Sequence, residues 1–320
     1  MKTIKDIWAV LDEDKSRLDQ CIKTSAQSPV DLSNQVSNYI INSGGKRIRP
    51  LVLLLLTRAM NYQGQLQYQL ATAVEFIHTA TLLHDDVVDG SDMRRNRPTA
   101  NHQFGNPAAV LVGDFLYTRA FQLISYELGA ARIISDATNE LAMGEVMQLM
   151  NISNLDLTET DYFQVIYLKT AVLFSAACQF AAVISEKENV KENCADYGKH
   201  LGIAFQIADD VLDYVGDINK TGKGIGDDLA EGKMTLPLIH ALQNTDGVST
   251  KRLRQIIESG DRHSIDEVIT ILEKTDSIHY AQQLAYHHAD LAKAAIAQLP
   301  NSLYKKALLL LPDLAVRRSN

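Results

Sequence analysis

Six aspartates fall in two copies of one pattern, Asp-Asp-x-x-Asp: Asp85, Asp86 and Asp89, then, 124 positions later, Asp209, Asp210 and Asp213. On an α-helix, residues four apart lie about 40° apart in azimuth and one 5.4 Å turn along the axis, so each triplet projects its carboxylates from one face. Three like charges that close repel one another, and a fold that draws them inward must supply a counter-charge. A hard divalent cation does so, and Mg²⁺ characteristically takes one or two carboxylates together with substrate phosphate oxygens. A single copy would read equally well as a solvated acidic turn. Two copies set among apolar residues, LLHDDVVD and IADDVLD, point instead to two carboxylate walls holding metal around a phosphorylated ligand.

Cations cluster near these walls. Lys46, Arg47 and Arg49 stand in GGKRIRP; Arg94, Arg95 and Arg97 in MRRNRPT; Lys169 in YLKT; Lys223 in TGKGIGDD; Lys233 in EGKMTLP. Arginine forks and lysine point charges are the usual receptors for phosphate oxygens. His78, seven residues before Asp85, lies within about 20° of its helical face. Glu75 and His78 also spell Glu-x-x-His, but a di-iron bundle needs that motif twice and the chain has no second copy. GKGIGDD lacks the spacing and the preceding strand of a phosphate loop.

In order along the chain, GGKRIRP, EFIHTATLLHDDVVDGSDMRRNRPT, GEVMQLMN, YLKTAVLF, FQIADDVLDY and GDDLAEGKMTLPL resemble the motifs of trans-isoprenyl diphosphate synthases. The segment TANHQFGNPAAVLVGDFLYTRAFQL is similar to the long-chain branch, that of bacterial octaprenyl diphosphate synthases. One departure is Asn96, where the family pattern has glycine. The resemblance implies an all-α single-domain bundle of ten to thirteen helices around a central active-site cavity. It also implies repeated head-to-tail condensation of isopentenyl diphosphate onto an allylic diphosphate such as farnesyl diphosphate, supplying a quinone side chain. Up to ~3 Mg²⁺ ions would serve each site, held by Asp85, Asp89 and Asp209, with Asp86, Asp210 and Asp213 completing or orienting the shell. Lys46, Arg49, His78 and Arg95 match the isopentenyl diphosphate positions; Arg94, Lys169, Lys223 and Lys233 match the allylic diphosphate positions. Thr170 and Gln206 match residues beside the reacting carbons. Short-chain relatives place an aromatic residue four or five positions before the first aspartate; here Thr81 and Ala80 are small, with Ile77 a turn deeper, and Ala80→Tyr is expected to shorten the product. A homodimer is also implied. Two alternatives share features with this reading: a class I terpene cyclase, whose second motif is not a full aspartate triplet, and a non-catalytic subunit, which lacks one or both triplets.

The composition agrees. Of 320 residues 46% are hydrophobic, enough for a sizeable core, and the net charge of −8 speaks against a nucleic-acid partner. Cys21, Cys178 and Cys194 are odd in number and scattered, which fits no disulfide framework or zinc spacing and suggests a reducing cytoplasm. The N-terminus carries charges throughout, unlike a signal peptide. LVLLLL at 51–56 is too short to cross a bilayer and reads as a buried helix. The stretch LYKKALLLLPDLAVRRSN reads as a packed terminal helix, with at most peripheral membrane contact.

The elements that must position these side chains are all helical by periodicity, and no strand alternation is found. Helices are expected near 4–20, 30–43, 49–60, 67–90, 107–127, 130–151, 159–185, 191–215, 227–243, 249–258, 263–274, 277–298 and 301–315, with breaks at Pro29, Pro98, Gly129, Gly216 and Pro300. Met143, Met147, Met150 and Cys178 are expected to fill core. No linker or repeat marks a domain boundary.

Overall fold

A computed structural model describes residues 1–94, 96–216 and 225–317. The chain is built almost wholly of helices. The first are α1 (Ile4–Trp8), α2 (Asp12–Ser25), α3 (Asp31–Ile41), α4 (Ile48–Ala59) and α5 (Leu66–Val88). A hairpin of two-residue strands follows, β1 (Met93–Arg94) and β2 (Arg97–Pro98). Then come α6 (Ala100–Phe104), α7 (Asn106–Ile124), α8 (Leu128–Met150), α9 (Glu159–Ile166), α10 (Val172–Ile184) and α11 (Lys191–Val215). The remainder holds α12 (Asp227–Ala230), α13 (Leu236–Asn244), α14 (Gly247–Ser259), α15 (Ile265–Lys274), α16 (Ser277–Ala295) and α17 (Leu303–Val316).

Inter-residue contacts divide the chain into two compact units. The first comprises Met1–Ala137, Leu173–Asp196 and Ala295–Leu311. At its centre α5 packs on α2, α4 and α7. The LVLLLL run forms the body of α4, and Leu51 to Leu56 have no exposed surface, as the apolar run predicts. The second unit comprises Thr138–Val172, Tyr197–Ala294 and the chain from Pro312 onward. Its core joins Tyr162 and Ile166 of α9, Ile203, Ile207 and Val211 of α11, Leu236 and Ile239 of α13, Leu253 of α14, Leu272 of α15 and Ala285 of α16.

Most expected helices appear within a residue or two of their predicted ends, and α11 matches its expected bounds. The differences have local causes. The helix expected over 4–20 is interrupted by a 3₁₀ turn at Ala9–Leu11, and a Thr3–Asp6 capping box fixes its start. The helix expected over 227–243 is two, α12 and α13, separated by Gly232 at φ 68° and restarted at Pro237. Polar ANHQF forms the unexpected α6, capped by Thr99. The hairpin corrects the expectation of no strands. Asn96 in its loop sits at φ 61°, left-handed backbone that glycine takes freely and asparagine tolerates better than most. The replacement of glycine at this position is therefore conformationally compatible.

The helix expected over 159–185 is continuous but contains a π-helical turn at Tyr167–Ala171. Within it, Glu159–Ile184 is long and apolar enough to cross a membrane, and 83% of its most apolar window is buried. All three cysteines are free, and burial pushes the Cys194 thiol up to about 12. Met143 and Met150 lie exposed, contrary to their expected role as core.

On α11 and α16, His200 and His288 bring their Nδ1 atoms to 2.9 Å. Burial, and then the neighbouring His200, His287 and Lys199, lower the His288 pKa to about 4. The neutral ring is thus the folded form, while an unfolded chain takes up the proton from ~6.5 downward. Stability from this site is complete above pH 6.5 and is lost as pH falls toward 4. We expect the melting temperature to drop between pH 7 and pH 5, and to drop less in His288→Gln; equal acid sensitivity in the two proteins would exclude His288 as the cause.

Candidate active site

In the first unit, Asp85, Asp86 and Asp89 occupy the last turn and C-cap of α5. They differ in environment. Asp86 is 1% exposed, Asp85 half-buried and Asp89 exposed. Arg94, on β1, donates to Asp86 Oδ1 from Nε at 2.9 Å and approaches it from Nη2 at 2.7 Å. Asp86 Oδ2 is buried with no hydrogen-bond partner. Burial raises the Asp86 pKa, Arg94 opposes the rise, and the charges of Asp85 and Asp89 add to it. An acceptor left orphaned among carboxylates is what a cation satisfies. The hairpin that delivers Arg94 is tied back to α5: Ser91 N–H and Asn101 Nδ2 both donate to the Asp86 carbonyl, at 3.0 and 3.1 Å. Arg95 lies outside the described residues.

Of the other cations in this unit, Arg47 caps α4 at φ 45° and pairs with Asp19. The Lys46 carbonyl accepts from Trp8 Nε1 at 3.1 Å. Arg49 has its guanidinium carbon 4.3 Å from the centre of the Phe174 ring and its buried Nε without a partner. Burial lowers its pKa to about 10 and Glu75 opposes the shift, so a positive charge is held where an anion would be welcome. His78 is half-buried on the same helix as Glu75. Of the residues expected to govern chain length, Ile77 and Ala80 have no exposed surface. Thr81 keeps part of its surface and donates to the His78 carbonyl at 2.8 Å.

In the second unit the triplet lies on α11, again in three environments: Asp209 exposed, Asp210 4% exposed and Asp213 9% exposed. Asp210 accepts at both oxygens, from Tyr162 Oη at 2.6 Å and from Gln206 Nε2 at 2.8 Å. Gln206 Oε1 in turn accepts from Thr170 Oγ1 at 2.8 Å. Burial and the Asp228 charge push the Asp210 pKa up to about 8 against the pull of these two donors. Asp213 accepts the backbone N–H groups of Asp227 and Asp228, both at 3.1 Å, and so anchors the start of α12. Asp209 carries its carboxylate in the open.

Lys169 and Thr170 both ride on the π turn, whose extra residue re-aims side chains relative to an α-helical continuation. Lys169 Nζ reaches Glu145 Oε2 at 2.6 Å. Beside Glu145, a Cβ on Gly144 would stand 2.7 Å from the Lys169 backbone nitrogen and 2.8 Å from Leu168 Cβ, so glycine is what lets α8 touch the turn. Lys233 pairs with Glu231 at 2.5 Å. Lys223 lies outside the described residues. Glu145, Gly144 and Tyr162 were not singled out by sequence reasoning. The motif GEVMQLMN carried a signal for the first two, and nothing local marked Tyr162.

Among the described residues no three His, Cys, Asp or Glu side chains close into a complete metal cage. Mg²⁺ does not require one, because substrate phosphates and water fill most of its shell. Within the first unit the oxygen donors of Asp85 and Asp89, with the orphaned Asp86 Oδ2 on the same helix, suit such an ion, and within the second the exposed Asp209 carboxylate does so too.

The polyprenyl synthetase family model matches residues 30–275. The octaprenyl diphosphate synthase of Haemophilus influenzae is 48% identical over 323 residues, covering 100% of this chain and 98% of that protein. That of Escherichia coli is 46% identical over 311 residues, with 96% of each covered. Among solved structures, the polyprenyl synthase from Caulobacter crescentus, complexed with calcium and isoprenyl diphosphate, superimposes with a TM-score of 0.95 at 37% identity, covering 100% of this chain and 99% of that one. Neither the cyclase nor the non-catalytic subunit is favoured by these relatives, and both aspartate triplets are intact. By family model, relatives and fold alike, the chain belongs to the polyprenyl synthetase family.

Proposed function

We propose that this chain is a long-chain trans-polyprenyl diphosphate synthase with an octaprenyl product, serving a quinone side chain in the cytoplasm. The observation that carries this reading is 48% identity to an octaprenyl diphosphate synthase along the whole chain. An allylic diphosphate ionises, isopentenyl diphosphate attacks the resulting cation through its double bond, and a proton passes from the adduct to the released diphosphate; each cycle adds one isoprene unit. Asp85, Asp89 and Asp209 would hold Mg²⁺, up to ~3 ions, which would supply Lewis acidity to the departing diphosphate. Asp86 and Asp210 orient those carboxylates, and Asp213 holds the start of α12. Lys169, Lys233 and Arg94, with Lys223, bind the allylic diphosphate. For Lys169, Lys233 and Arg94 this requires exchange of the present carboxylate partners Glu145, Glu231 and Asp86 for phosphate. Lys46, Arg49, His78 and Arg95 bind isopentenyl diphosphate. Thr170 and Gln206 turn oxygen dipoles toward the cation.

The test is direct: purified protein with Mg²⁺, farnesyl diphosphate and isopentenyl diphosphate should give octaprenyl diphosphate by mass spectrometry. A cyclised hydrocarbon, or no elongation, would overturn the reading. A homodimer, to which the exposed apolar Met143, Val146 and Met150 of α8 are suited, should appear in sedimentation at twice the chain mass. We further propose that the two units act as one domain, which requires a single calorimetric transition.

Product length singles out Thr81. Ala80 and Ile77 have no exposed surface, and Tyr at Ala80, though expected to shorten the product, would also overpack the core at ~1–3 kcal/mol, so Thr81, which keeps part of its surface, is the cleaner probe. Thr81→Tyr should release markedly shorter prenyl diphosphates while condensation continues. An unchanged octaprenyl product from that variant would remove Thr81 from the passage.

A further inference from the structure

Tyr162 has none of the roles above, yet it ends a row of four buried or half-buried side chains. Its hydroxyl donates to Asp210 Oδ2 at 2.6 Å, Gln206 Nε2 donates to Asp210 Oδ1 at 2.8 Å, and Thr170 Oγ1 donates to Gln206 Oε1 at 2.8 Å. The direction of every bond in this row follows from its centre. Both Asp210 oxygens accept, one from Tyr162 and one from Gln206. With Asp210 accepting, the Gln206 amide turns its nitrogen toward Asp210 and its oxygen toward Thr170. Thr170 then commits its one hydroxyl proton to Gln206, and its lone pairs remain for whatever lies beyond. Were the amide reversed, its nitrogen would donate to Thr170 and its oxygen would face Asp210, and the Thr170 hydroxyl would offer its proton and one lone pair, not two lone pairs, to whatever lies beyond.

Two groups hold Asp210 in place, and Gln206 is one of the groups being directed. The independent anchor is Tyr162, which is 3% exposed. It lies on α9, the helix just before the π turn that carries Thr170, and its ring meets Phe163 edge-on with centroids 5.5 Å apart. Its spacing of seven residues before Lys169 keeps this anchor and the substrate-facing residues on one helical segment. Phenylalanine would preserve the packing and delete only the donor.

We propose that Tyr162 is a positioning residue for the condensation, acting through Asp210 to fix the direction of the Gln206 amide and the Thr170 hydroxyl. This rests on the prenyltransferase reading for the roles of Thr170 and Gln206. The row of hydrogen bonds itself does not.

The experiment has two arms. In the metal-free protein, the Gln206 side-chain amide resonances, identified by their loss in Gln206→Ala, should shift and exchange faster with solvent in Tyr162→Phe; resonances identical to wild type would overturn the proposal. In the Mg²⁺-loaded enzyme, Tyr162→Phe should lower kcat by about 10²-fold, as expected for a misplaced reacting group, with KM for both diphosphates within about threefold of wild type. The double variant with Gln206→Ala should lose no more than Gln206→Ala alone. An unchanged kcat, or losses that multiply, would show that Tyr162 does not act through Gln206. Should Tyr162→Phe not fold, Tyr162→His keeps a ring donor and must retain kcat within about tenfold; a folded Tyr162→His variant without turnover overturns the proposal. If wild type itself fails to elongate, the functional reading falls while the metal-free arm still decides the hydrogen-bond row.

Discussion

Asp209→Ala is expected to abolish all but a trace of turnover while leaving the fold intact. Asp209 is the exposed member of its triplet, whereas Asp210 and Asp213 already accept two hydrogen bonds each from the protein. On the proposed function, the cation that would meet the departing diphosphate is therefore held chiefly by Asp209 in this unit. Losing one such electrostatic contact costs ~10²–10³ in kcat. The fold should survive because Asp209 stands next to the buried Asp210, whose pKa its charge helps raise; its removal relieves repulsion. Asp85→Ala should behave alike in the first unit. Steady-state rates at saturating Mg²⁺ and melting curves of the metal-free variants check both halves. Near-normal turnover in Asp209→Ala would mean that this triplet does not bear the metal.

Gly144→Ala should cost about as much without touching a charged group. Its Cβ would fall 2.7 Å from the Lys169 nitrogen and 2.9 Å from the Leu168 carbonyl carbon, closer than real Cβ contacts come. These neighbours are backbone, so the π turn must move rather than a flexible side chain. A displacement of ~1 Å in a group that positions substrate costs on the order of 10² in rate. Kinetics with Lys169→Ala as the comparison decides the matter: the two variants should share a raised KM for the allylic diphosphate. A Gly144→Ala enzyme with wild-type constants would show that the turn tolerates the added methyl.

How much of this was legible beforehand follows from the range of the interactions. The helices, the buried α4 and the aspartate faces are set by residues a turn apart, and periodicity finds such things. The π turn escaped because its five residues, YLKTA, continue the apolar pattern of 159–185; one extra residue per turn leaves composition unchanged. The hairpin escaped because two-residue strands are too short to alternate. The different states of the three aspartates in each triplet were hidden for another reason. Spacing alone makes Asp85, Asp86 and Asp89 equivalent members of one face, whereas burial and Arg94 single out Asp86. Tyr162 is 48 positions from Asp210, and no local pattern joins them. Glu145 and Lys169, 24 apart, could have been paired by charge, since the run LAMGEVM places an acid beside a glycine among apolar residues.

The division of the chain bears on how it is made. Each unit is assembled from three separated segments, and the first draws on Met1–Ala137 but also on Ala295–Leu311. At ~5–20 residues per second, synthesis takes roughly 10–35 s to run from Ala137 to Leu311. Throughout that interval α4 and α5, whose apolar side chains are buried in the finished unit, have been translated while part of their own unit has not. Contacts so distant in sequence also close slowly once the chain is free. For that time the apolar faces that the finished unit buries await their last partners, and it is there, rather than in the finished protein, that a holding chaperone would find a binding site.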